Sequence, residues 1–144
     1  MIISIKGVQR YENADPDTME LVTEGRLERE GNSYTLSYQE SELTGLEGTL
    51  TTFQIEPERI TLMRVGEFNS QMVFQEGRRH MSMYNTPYGA MTIGVNTRHL
   101  LSELTDRGGE IEIDYAIEID HSVAGRNTFQ INVKEAEGAA GLRI

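Results

Sequence analysis

The chain has 144 residues, 38% of them apolar and 25% charged, with a net charge of −10 and no cysteine. That is the size and balance of one globular domain, long enough to bury a core. It excludes disulfides, thiolate chemistry and cysteine-held zinc, a helix of roughly 20 apolar residues crossing a bilayer, and a phosphate-attracting nucleic-acid surface.

The largest basic cluster is Arg78-Arg79-His80, and the acidic remainder serves solubility. A cytoplasmic protein with no nucleic-acid or membrane partner is the expectation. Met1 to Lys6 reads as a first strand, not a signal peptide, because no basic stretch, apolar stretch and small-residue cleavage site follow one another. Ile2, Ile3, Ile5 and Val8 fall on both parities, which predicts cover on both faces or a bulge near Gly7.

From there a two-residue rhythm recurs. Met19, Leu21 and Leu27 oppose Glu20, Glu24, Arg26 and Glu28. Tyr34, Leu36 and Tyr38 alternate with Thr35, Ser37 and Gln39, and Thr51, Phe53 and Ile55 follow. Next come Ile60 and Leu62, then Met72 and Phe74, then Met91, Ile93 and Val95. Between Asn96 and Leu104 the spacing of Leu100, Leu101 and Leu104 admits a helical turn capped by Asn96 or Thr97. The clearest strand runs from Glu110 to Asp120, with Ile111, Ile113, Tyr115, Ile117 and Ile119 on one face and mostly acidic residues on the other. Phe129, Ile131 and Val133 close the series.

Turn residues stand at the breaks: Gly31-Asn32, Pro57-Glu58, Gly66 to Asn69, Glu76-Gly77, Thr86-Pro87-Tyr88-Gly89, Gly108-Gly109 and Gly125 to Asn127. Connections this short join antiparallel neighbours. The prediction is an all-β chain, with one antiparallel sheet closed into a barrel of about 8–10 strands over residues 1–134. Residues 135–144, rich in Ala and Gly, are expected to form a poorly ordered tail. Alternation suits a sandwich equally well, but uninterrupted hairpin order favours closure.

Ile60-Thr61-Leu62-Met63-Arg64-Val65-Gly66, Met72-Val73-Phe74, Tyr84-Asn85-Thr86-Pro87-Tyr88-Gly89 and Gly94-Val95-Asn96-Thr97 stand in a spacing that resembles the YwiB-like family. Gly109 to Tyr115, and then Asn127, continue the likeness, which extends from Ile3 to about Lys134. The resemblance implies a calycin-like barrel of lipocalin or streptavidin type, with residues 96–104 extended. It implies no activity, since that bacterial family is a domain of unknown function.

Arg64 shares the inward parity of Ile60 and Leu62. A guanidinium cannot shed its proton, so inside a fold it needs a partner. Either Glu40 or Glu76 pairs with it, or it offers a bidentate fork to an anionic ligand. Tyr38, Tyr84 and Tyr88, with Arg64 and Glu40, are the candidate ligand-binding set, because phenols join an apolar body to a polar tip. Tyr115, among isoleucines, reads as core. Met81 and Met83 oppose His80, Ser82 and Tyr84, and either fill the core or mark a homodimer patch. His80, His99 and His121 share no metal-binding spacing, and no catalytic residue, metal site or cofactor is assigned.

Three readings follow. The first is a module that holds a small organic, anionic ligand in the barrel interior or mouth. The second is a protein-interaction or dimerising module with a filled barrel. The third is an enzyme, for which Arg64 with Glu40, Glu76 or His80 is the sole nominated cluster.

Overall fold

A computed structural model describes residues 1–10, 15–41, 46–66, 69–86, 89–119 and 122–135, excepting the side chains of 83–86 and 90. The turn at Pro87-Tyr88 and nearly all of the expected tail lie outside that set. Eleven strands are described, rather than eight to ten. They are β1 (Ile2–Arg10), β2 (Asp17–Glu24), β3 (Arg26–Glu30), β4 (Ser33–Gln39), β5 (Thr49–Ile55) and β6 (Ile60–Gly66), followed by β7 (Ser70–Phe74), β8 (Arg79–Thr86), β9 (Gly89–Thr105), β10 (Gly108–Ile119) and β11 (Ser122–Lys134).

All join one sheet in the order β2-β1-β11-β10-β9-β8-β7-β6-β5-β4-β3, with every ladder antiparallel. The order is a run of hairpins in chain sequence, except that β1 inserts between β2 and β11. It begins and ends on β2 and β3, and no ladder joins these two among the described residues. The sheet is therefore shown as antiparallel, but its closure is not.

Alternation puts one face of each strand into a single core. Phe53, Phe74, Ile3, Leu36, Ile60, Leu62, Ile111, Ile113 and Ile131 are its largest wholly buried side chains. Full burial of such a side chain is worth about 1.5–3 kcal/mol against leaving it in water.

β1 departs from expectation. Gly7 stands squarely between Met19 and Phe129 in uninterrupted ladders, so no bulge occurs there. The register slips instead in β11, at Ala124, and in β9. Thr97 faces Tyr115 and His99 faces Asp114, which leaves Arg98 as the extra residue of a bulge. The bulge moves the inward positions from Ile93, Val95 and Thr97 to Leu100 and Leu104. A single phase slip thus produced the spacing that admitted a helical turn, and the segment is strand throughout.

Gly108 and Gly109 begin β10 instead of forming the turn, which is made by Asp106 and Arg107. Both hold positive φ (118° and 150°), and a Cβ on either would run into the carbonyl oxygen of Val133 or Glu103. Glycine is required there by left-handed backbone and by close approach together.

Candidate functional site

The Pro57-Glu58 turn sets Ile55 opposite Ile60, and counting back along the hairpin sets Thr51 opposite Arg64. Tyr38 pairs with Thr51 on one side, and Ser70 pairs with Arg64 on the other. Tyr38, Thr51, Arg64 and Ser70 therefore form one inward row across β4, β5, β6 and β7. Glu40, just past β4, keeps the parity of Tyr38 and is anchored by its own N–H donating to the Thr49 carbonyl at 2.9 Å. The Gln39 side-chain amide donates to that same carbonyl, also at 2.9 Å.

The side chains meet. Thr51 donates its hydroxyl to Glu40 Oε2 at 2.5 Å, and Arg64 Nε stands 3.8 Å from the same oxygen. The Glu40 side chain is 1% exposed and that of Arg64 21%. Arg64 Nε itself is buried and has no hydrogen-bond partner among the described residues. An N–H so placed forfeits the hydrogen bond it would make in water. Burial raises the Tyr38 phenol well above its ordinary range; the Glu40 carboxylate adds to this and Arg64 opposes it. The cluster is thus a cation, an anion, a phenol locked in its neutral form and a buried hydroxyl, within one corner of the sheet.

Of the sequence-predicted set, Arg64, Glu40 and Tyr38 come together. The backbone of Tyr84 pairs with Ser70, one strand beyond Arg64, while its side chain and all of Tyr88 lie outside the described residues. Glu76 does not approach Arg64. It accepts a hydrogen bond from the Leu100 N–H at 3.0 Å and faces His99 Nδ1 at 3.4 Å. His80 meets Gln75 at 3.0 Å, so the nominated catalytic cluster divides into separate neighbourhoods. Tyr115 packs its ring 4.7 Å from that of Phe74, as a core residue does. Met81 is 58% exposed and fills no core. Thr51 was missed because its parity with Phe53 and Ile55 reads as ordinary core strand. The turn two residues past Ile55 was the signal that could have placed it opposite Arg64.

Among the described residues no group of three or more His, Cys, Asp or Glu is arranged to hold a metal ion. No described helix is long and apolar enough to cross a membrane.

Residues 3–131 match the family described as a domain of unknown function, DUF1934. The chain belongs to the DUF1934 family. The crystal structure of the YwiB protein from Bacillus subtilis is similar to this DUF1934 chain, with a TM-score of 0.77 and 20% sequence identity over 93% of this chain and 91% of that one. At that identity the likeness speaks for the fold, and it makes this a YwiB-like DUF1934 domain. No curated protein matches the chain.

Proposed function

We propose that this DUF1934 domain is a binding module of the cytoplasm, a calycin-like barrel that holds a small organic anion at one mouth, against Arg64. Closure is supported by the seam at Gly25, the one residue between β2 and β3. Its N–H donates to the Met1 carbonyl at 2.9 Å, while Ser37 O of β4 lies 2.5 Å from where its Cβ would stand. One residue thus lies against the chain at β1 and at β4, the strands next to the two ends of the order. The dense inward cluster of aliphatic and aromatic side chains favours the mouth over the centre as the ligand's place.

The observation that carries the reading is the Arg64 guanidinium: partly open to solvent, 3.8 Å from the Glu40 carboxylate, with a buried Nε that has no hydrogen-bond partner among the described residues. A carboxylate or phosphate approaching from the open end would pair with the part of the guanidinium that still reaches solvent, and Tyr38 gives the apolar contact. Titration calorimetry with a panel of small carboxylates and phosphates tests this. At least one should bind, and Arg64→Met should weaken it roughly tenfold or more. Equal affinity in the variant, or no binding across the panel, overturns the reading.

A second reading, a homodimer, draws on the outer face. Leu50 and Val65 stand opposite each other there, 44% and 63% exposed, and Met81 is also outward. Light scattering that reports only monomer at high concentration removes it.

A further inference from the structure

At the same end of the strands lies a second recess, lined by none of the Arg64 cluster. It is an inward-facing cleft of about 220 Å³ between β1, β2, β10 and β11. Tyr115 and Phe129 form its aromatic wall, their ring centroids 5.8 Å apart. Gly7 lets Phe129 and Met19 pack close over the facing backbone, 3.4 and 3.6 Å from where a Cβ would stand. Met19, half-exposed on β2, supplies a flexible thioether edge.

The cleft has one deep polar group. Asn127 sits directly between Tyr115 and Gln9 in the ladders, is only 7% exposed, lines the cleft, and makes no side-chain hydrogen bond among the described residues. A carboxamide at the cleft wall offers two donors and an acceptor to whatever enters. In the same row, beyond Tyr115, the buried Thr97 hydroxyl also lacks a partner among the described residues. Among the described residues that line the cleft the only charged one is Asp17, exposed at its rim.

We propose that this cleft binds a small, uncharged, planar ring bearing an amide or lactam edge. The ring lies against Tyr115 and Phe129, and its donor–acceptor edge pairs with the Asn127 carboxamide, the mode by which Asn reads a nucleobase edge. The volume is sufficient, since an apolar cavity of about 150 Å³ accommodates benzene. Charge is selected against: a carboxylate would meet Asp17 on entry and lose its hydration inside with no cation to receive it.

The test uses the full chain with benzamide and uracil as probes, followed by the Asn127 side-chain NH₂ signals in ¹H–¹⁵N NMR spectra. Both probes should shift those signals saturably, whereas benzoate and toluene should not. Asn127→Leu should weaken binding tenfold or more, with a cooperative melt retained to show that the variant is folded. Met19→Ser, on an exposed edge position, should weaken binding severalfold. Arg64→Met should leave both probes bound, which separates this site from the anion site. Unmoved Asn127 signals at millimolar probe, toluene binding as well as benzamide, or undiminished affinity in Asn127→Leu would each overturn the proposal.

Discussion

Arg64 and Glu40 are unequal partners. The carboxylate is sealed in, whereas the guanidinium still reaches water. Removing the cation takes the opposite charge away from a buried carboxylate, while neutralising the anion leaves an arginine that can turn outward. Arg64→Met should cost on the order of 2 kcal/mol in urea unfolding, and Glu40→Gln under about 1 kcal/mol. Equal costs would mean that the pair is screened by solvent on both sides.

Tyr38 carries the pH dependence. Its phenol is held protonated in the fold beyond the pH at which an unfolded tyrosine ionises, near about 10. Above that pH the unfolded chain binds fewer protons than the native one, so stability falls as pH rises. Thermal melts between pH 8 and 11 should show a shallower alkaline decline for Tyr38→Phe than for the wild type. At this scale the inward parity of Arg64, Glu40 and Tyr38 was legible, because alternation assigns a face. The choice of Glu40 over Glu76 was not, because both carboxylates satisfied parity and only strand stagger separated them.

Among the elements, β9 shows how a local pattern misleads. Ile93, Val95 and Thr97 point inward on odd numbers, and Leu100 and Leu104 on even ones, with Arg98 absorbing the slip. Deleting Arg98 should give a regular ladder with both leucines still inward, so the variant should fold, with an unchanged strand spectrum by circular dichroism. Deleting Asp114 from the facing strand instead reverses every side chain on one side of the cut, and should abolish cooperative unfolding. The turns at Gly31-Asn32, Pro57-Glu58 and Glu76-Gly77 were legible from glycine and proline, whereas Gly125 to Asn127, also read as a break, lies inside β11. Gly108 and Gly109 were read as the turn itself, when they are the strand start that backbone crowding reserves for glycine.

For the whole molecule the decisive position is Gly25. A Cβ there would press on Ile3 Cδ1, on Ser37 O at 2.5 Å and on Tyr38 Cβ at 3.2 Å. Gly25→Val should destabilise by about 1–3 kcal/mol, read as a drop in melting temperature. Hydrogen exchange should quicken at both β1 and β4, because the residue packs against Ile3 of the one and Ser37 of the other. Quickening at one end alone would argue against a shared seam.

The amino-acid sequence by itself determined the two-sided strands, their antiparallel hairpin order, the absence of room for crossover helices and the inward placement of Arg64. Each of these follows from side-chain alternation and short turns, which act over a few neighbouring residues. Tertiary structure decided the partner of Arg64, the packing of Gly25 against Ile3 and Ser37, and the cleft around Asn127. Those depend on how bulges and twist stagger strands far apart in the chain, and a period of two residues carries no record of that stagger.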